Sequence, residues 1–181
     1  MWMRLLQETI TLNDAALVRQ TFQDFFEYYH SSVHVWILLI EFEEKGRQFD
    51  QLEGIFNKCL RSVPSVELCD RYMNYVNHIH TLPEDATLEQ LMESRKVVIQ
   101  AFEFVLSVVG TDKCSGVIWM KFIQYVKSGD LGSTYEEQLK MDQLRKIFHR
   151  ALQIPLLNIE DIWKDYDAYE NSLSKLTVRM C

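Results

Sequence analysis

Only 6 glycines and 3 prolines occur in 181 residues, and no hairpin dipeptide of the Asn-Gly type is present. So few breakers over such a length leave little room for the tight turns of a β-protein and favour helix throughout, so an all-α chain is expected. Long apolar runs are also missing. The best, VHVWILLI, falls well short of the roughly 18 residues that a membrane span needs, and Glu41, Glu43 and Glu44 follow at once. The opening stretch, MWMRLLQETITLND, has neither an extended apolar segment nor a small-residue cleavage site, so an intracellular, unanchored protein is expected. The 4 cysteines, Cys59, Cys69, Cys114 and Cys181, show no C-x-x-C spacing, which speaks against a zinc site and against a disulfide scaffold. Basic excess is lacking as well: a formal charge of −7 repels polyanions at long range, and protein partners fit more easily than nucleic acid.

What is there is a composition of 48% apolar and 25% charged residues, that of a globular protein with ample length for a core. It is organised by a repeat. Near the end, Trp163, Tyr166 and Tyr169 share one broad helical face, bordered by Asp161, Asp165, Asp167 and Glu170. The same helix, here called A, occurs earlier as Trp119, Phe122, Tyr125 and as Trp36, Leu39, Phe42. A weaker copy is Cys69, Tyr72, Tyr75, and Trp2 with Leu5 forms the remnant of another.

Between them run second helices, B, whose apolar residues fall at i, i+3, i+4, i+7 and i+8. They begin at Val18, Leu52, Val98 and Leu144, and the i+4 position is phenylalanine every time: Phe22, Phe56, Phe102 and Phe148. Paired helices of this kind are the unit of a helical-hairpin array. Gly46 separates A from B in the second unit, Pro64 and Pro155 close two B helices, and Gly110 stands where a left-handed C′ glycine would end a third. Thr87-x-x-Gln90 and Ser133-x-x-Glu136 read as capping boxes opening B helices.

From the A-helix tryptophan slot to the B-helix phenylalanine the distance is 20 residues in units one and two (2 to 22, 36 to 56). It grows to 33 in the third (69 to 102) and 29 in the fourth (119 to 148). The B-to-A distances stay near constant, at 14, 13, 17 and 15. All the extra length is therefore expected in two adjacent A–B turns, roughly 77–87 and 127–138, on one edge of a stacked solenoid.

Trp36, Phe56 and Pro64 match the tetratricopeptide skeleton, but Val18, Leu52, Val98 and Leu144 are too large for the positions where that fold needs small residues. W-x-x-Y-x-x-Y-E at 163–170 and L-R-x-I-F-x-R-A-L at 144–152 instead resemble the half-a-tetratricopeptide, or HAT, repeat, which occurs almost exclusively in RNA-processing proteins. The stretches IPLLNIEDIWKDYDAYENS, GSTYEEQ and EGIFNKCL resemble the suppressor-of-forked family, whose members are large HAT-repeat scaffold subunits of cleavage stimulation factor. The resemblance runs from Trp2 to about Met180 and covers the N-terminal HAT half of that family.

It implies an α-solenoid of antiparallel helix pairs over residues 1–181, a single array of about four repeats plus the start of a fifth. In that register the chain opens within helix A of the first unit and stops just inside helix B of the fifth. It further implies a non-catalytic scaffold arm in nuclear pre-mRNA 3′-end cleavage and polyadenylation. Such an arm binds protein subunits of the machinery, the specificity factor among them, with RNA contact indirect or weak. The family dimerises through a C-terminal half not found in this sequence, so a monomer is expected. A HAT scaffold of splicing or ribosomal RNA maturation, and a directly RNA-binding solenoid, are the alternatives.

Trp36, Phe42, Phe56, Tyr72, Phe102, Trp119, Phe148, Trp163 and Tyr166 are expected to form the repeat core, because a residue recurring at fixed register is structural before it is a ligand cage. Cys69 in a tryptophan slot should leave the third A helix less well filled. His78 and His80, with Glu84 and Asp85, sit in a polar turn without further spaced ligands; His30 and His34 straddle another turn, and no metal is expected. No G-x-S-x-G, H-E-x-x-H or phosphate loop is present, so neither enzyme chemistry nor a cofactor is expected. Lys140, Arg145, Lys146, His149 and Arg150 form the one dense basic stretch, read as a solvated face paired with acids such as Asp142, with contact to RNA or to an acidic partner as the functional alternative. The lengthened turns, with Pro83, Glu84 and Asp85 in one and Asp130, Gly132 and Tyr135 in the other, are the better candidates for partner contact.

Overall fold

The computed structural model describes residues 1–83, 86–129 and 134–179, and for 134–136 and 174–179 it describes the helical backbone alone. All regular structure among the described residues is helical: α1 (Trp2–Leu12), α2 (Ala15–Tyr29), α3 (Val33–Lys45), α4 (Phe49–Ser62), α5 (Val66–Ile79), α6 (Leu88–Val109), α7 (Gly116–Ser128), α8 (Thr134–Leu152) and α9 (Ile159–Arg179). Odd-numbered helices are the A helices and even-numbered ones the B helices. The chain forms two compact units, Met1–Tyr72 and Met73–Cys181, with the boundary inside α5. In the first, α1 packs on α2, α2 on α3 and α3 on α4; in the second, α6 packs on α7, α7 on α8 and α8 on α9. Short connections between packed neighbours make successive helices antiparallel, which is the packing of an all-α helical-repeat solenoid.

Local chemistry sets the ends. Asn13 takes a left-handed backbone (φ 55°) and closes α1, and the Asp14 carboxylate at once accepts the amides of Ala16 and Leu17 to open α2. The Thr87 box forms in full: Gln90 N–H donates to the Thr87 hydroxyl (3.3 Å), and Thr87 N–H donates to the Gln90 side-chain oxygen (3.0 Å). The box proposed at Ser133 lies outside the described residues. Val63 is extended ahead of Pro64, as a residue before proline must be, and α4 stops there.

Gly46 caps α3 and separates it from α4 as expected, with a right-handed backbone; the positive φ in that turn belongs to Arg47 (52°). Gly110 is right-handed too (φ −60°), so it is no left-handed C′ glycine; a side chain there would overlap the carbonyl of Leu106 one turn earlier. Its carbonyl receives the Ser115 hydroxyl (2.8 Å) and the Trp119 indole N–H (3.0 Å).

The core repeats with the sequence. Phe22, Phe56, Phe102 and Phe148 are each 0–1% exposed. Three of them meet the aromatic ladder of the following A helix: Phe56 on Tyr72 (5.4 Å), Phe102 on Phe122 and Tyr125 (4.9 and 5.8 Å), Phe148 on Tyr166 and Tyr169 (5.0 and 6.0 Å). Such ring pairs add about 0.5–1.5 kcal/mol each beyond the area they bury. Trp36 and Trp119 are buried, and each indole N–H reaches back to the carbonyl that ends the preceding B helix, His30 (2.8 Å) and Gly110. Cys69, in the same slot, is buried without an indole to make that bond.

The extra length is distributed differently from the expectation. Seven residues separate the helix start from the phenylalanine in α2 (15 to 22) and α4 (49 to 56), but fourteen do so in α6 (88 to 102) and α8 (134 to 148). Most of both insertions is therefore helix, two added turns on each of two successive B helices, rather than loop. Residues 134–138, expected in a turn, belong to α8. At the other end, α9 runs unbroken to Arg179 through the stretch expected to open a fifth B helix, because no glycine or proline interrupts ENSLSKLTVR.

Candidate interaction surfaces

The basic stretch of α8 is tied down by acids from neighbouring helices rather than by Asp142. Arg145 donates two hydrogen bonds to the Glu170 carboxylate of α9 (2.7 and 2.9 Å). Arg150 does the same to Glu103 of α6 (2.7 and 2.9 Å), with its guanidinium over the Trp119 ring. His149 meets the Tyr166 hydroxyl at 3.0 Å, and Lys146 is exposed. The bond from Arg145 holds the Glu170 carboxyl below the usual glutamate range and raises the pKa of the arginine further. Two of the basic charges are thus spent on stitching α8 to α9 and to α6.

The same stitch closes the first unit. Arg19 of α2 donates to both oxygens of Glu43 in α3 (2.7 and 2.8 Å), and the Glu43 side chain is 1% exposed. Glu43 and Glu170 both stand seven residues after an A-helix tryptophan, and Arg19 and Arg145 both stand one residue after the first template position of helix B. The acid after the aromatic ladder is therefore a partner for the preceding B helix, a role that its position in the motif signalled. Links between successive A helices add to it: Arg71 to Glu41 in the first unit (2.6 Å), Lys121 to Asn74 (3.1 Å) and Lys127 to Asp165 (2.6 Å) in the second.

Of the expected core residues, Trp36, Phe56, Phe102, Trp119 and Phe148 are buried, while Phe42, Tyr72 and Tyr166 are half-buried. Trp163 is not core: it is 56% exposed, with Tyr166 as its ring neighbour (6.1 Å). Its neighbour Ile162 carries the burial instead, at 0%. The main packing partner of α9 is α8, and the α9 face carrying Trp163 leaves that ring largely in solvent.

Pro83 is exposed beyond the end of α5, whereas Glu84, Asp85, Asp130 and Gly132 lie outside the described residues, as does the Tyr135 side chain on α8. The first lengthened connection is anchored at its base by the Ser94 hydroxyl, which donates to the His80 carbonyl (2.9 Å). Lys140 donates to the Gly129 carbonyl at the end of α7, and Arg95 lies over the Tyr125 ring. The added turns of α6 expose Leu88, Leu91 and Met92, one face at i, i+3 and i+4 that lies just past the turn expected at 77–87 and was not among the expected contact residues. His78 is exposed and His80 half-buried, and no cluster of three metal-ligating side chains occurs among the described residues. No described helix is long and apolar enough to cross a membrane. Burial pushes the Cys59 thiol up to about 12 and the Cys69 thiol up to about 11, which leaves both protonated and unreactive at neutral pH.

A family model for the suppressor of forked protein matches residues 1–181. The mRNA 3′-end-processing protein rna-14 of Neurospora crassa is 38% identical over 181 residues, covering 98% of this chain and 15% of the relative. The protein of that name in Schizosaccharomyces pombe is 35% identical over 178 residues (98% and 23%), and that of Yarrowia lipolytica 34% identical over 178 (98% and 22%). The chain thus spans between 15% and 23% of the length of these curated relatives.

Proposed function

This chain belongs to the suppressor of forked protein family, and on that premise we propose that it acts as a non-catalytic scaffold arm in nuclear pre-mRNA 3′-end cleavage and polyadenylation. It binds protein subunits of that machinery, the factor that recognises the polyadenylation signal among them. The names of its relatives support the process. The observation that supports binding is the edge of the second unit, where α6 and α8 are lengthened by the same two turns and Leu88, Leu91 and Met92 stand in solvent. An apolar face that a core does not need is a recognised mark of a partner surface. Stacked helix pairs hold such a face without ordering cost on binding, which suits a scaffold.

Contact with RNA is indirect in this reading, because Arg145 and Arg150 are consumed by Glu170 and Glu103. The test is capture from nuclear extract on the immobilised chain, with Leu88→Glu/Met92→Glu alongside. Cleavage and polyadenylation subunits should be retained by the parent and reduced by the variant. Retention of splicing or ribosomal RNA maturation factors alone overturns the choice of machinery. Direct RNA binding whose affinity falls steeply with salt, abolished by Lys146→Glu, overturns the indirect role.

A further inference from the structure

Within the first unit, α2, α3 and α4 leave an open-mouthed cavity of about 270 Å³. Phe26, Trp36, Leu39 and Ile55 form its apolar lining. This lining is held in place: the Phe26 and Trp36 rings stack at 3.6 Å and 12°, and the Trp36 indole N–H is bound to the His30 carbonyl. The rim is Arg19, Gln23, Gln51 and Lys58. Glu43, the one carboxylate among the lining residues, is 1% exposed and has both oxygens occupied by Arg19. What faces the opening is therefore an exposed ammonium on Lys58, two exposed amides and the outer part of the Arg19 guanidinium, on a chain whose net charge is −7. The volume lies below the roughly 300–1,000 Å³ of clefts that hold small molecules, and suits one large side chain. A nucleobase would need an exposed ring face, and Trp36 is buried with Phe26 stacked on one side of it.

We propose that this cavity is an anchor site for a short segment of a partner protein, in which one large apolar side chain fills the pocket and flanking aspartates or glutamates meet Lys58, Gln51 and Gln23. The proposal rests on the reading of the chain as a protein-binding scaffold and assigns it a second contact surface, separate from the added turns of α6.

The probe is a short fluorescein-labelled peptide with one phenylalanine between aspartates, followed by polarisation, with lysine-flanked and alanine-centred peptides as controls. The aspartate-flanked peptide should bind at least about tenfold tighter than either control. Lys58→Glu/Gln51→Glu, at two exposed sites and so expected to leave the circular dichroism melt in place, should lower that affinity by about tenfold or more. The Trp36 indole NMR signal should move on titration. Equal binding of the lysine-flanked peptide, unchanged affinity of the double variant, a stationary Trp36 signal or no saturable binding overturns the proposal, as does a Trp36 response to oligouridylate in place of the peptide. Capture of processing subunits from extract is scored separately. Capture without peptide binding sinks the pocket alone, and peptide binding without capture sinks the scaffold reading alone.

Discussion

Removing the arginine of the Arg19–Glu43 pair should cost far more than removing the acid. The Glu43 side chain is 1% exposed, while that of Arg19 is 37% exposed. In Arg19→Ala the carboxylate stays buried with both of its charge-assisted bonds gone, a situation that costs about 3–5 kcal/mol. In Glu43→Gln the guanidinium can turn to water and the amide keeps one acceptor, so the loss should be nearer about 1–2 kcal/mol. Replacing both, as Arg19→Met/Glu43→Leu, leaves no buried charge and should be close to neutral. Urea unfolding followed by hydrogen exchange of the α2 and α3 amides tracks the first unit by itself. With a urea slope of about 1–3 kcal/mol/M, the Arg19→Ala midpoint should fall by about 1–5 M. Equal losses below about 1 kcal/mol for the two single variants, or a double variant whose cost equals their sum, would refute the assignment of Glu43 as a buried, arginine-dependent charge.

Phe148→Ala and Trp119→Ala should each lower stability by about 3–5 kcal/mol in urea titrations, whereas Trp163→Ala, at a 56% exposed ring, should cost less than about 1 kcal/mol. Arg47→Gly relieves a left-handed backbone and should raise the unfolding free energy by about 0.5–1 kcal/mol in the same titration, and a loss of stability would refute a positive φ there. Glu170 is held below its ordinary pKa by Arg145, so its contribution is present above the unfolded value near 4.5 and is lost as pH falls through the lower folded value. The acid side of the stability profile should therefore be shallower in Arg145→Met than in the parent, and superimposable profiles would count against the pair.

How much of this was legible beforehand follows from which interactions leave a periodic trace. A buried helix face must repeat every 3.6 residues, so the four template phenylalanines, all 0–1% exposed here, could be read directly. The Thr87 box was legible because its two reciprocal bonds need those residue types at that spacing. Trp163 misled because register reports which face a residue occupies but not whether another element covers that face; Ile162 and Trp163 are adjacent in the motif, yet one is at 0% and the other at 56% exposure.

Assigning all the extra length to the turns at 77–87 and 127–138 fails because spacing measures length without conformation: the Thr87 box marks the start of α6, but the two turns of helix that follow it are part of the added length, and 134–138 lie in α8. The residues themselves, LEQLMES and TYEEQLK, are mostly strong helix formers and already favour helix. The Arg19–Glu43 and Arg145–Glu170 stitches were half visible: the acid recurred at +7 of helix A, but its partner lies 24 or 25 residues away, on a different helix, where no local period points to it. The pairing also changes what the basic stretch can do. Counted along the chain, Arg145 and Arg150 look like free charge for a polyanion. Once each is bidentate to a carboxylate, an RNA phosphate would have to displace Glu170 or Glu103 to reach them, and the cost of breaking that pair is set against the new contact. Lys146 is exposed and takes no part in these two pairs, and a single lysine on an acidic chain is a weak basis for binding nucleic acid.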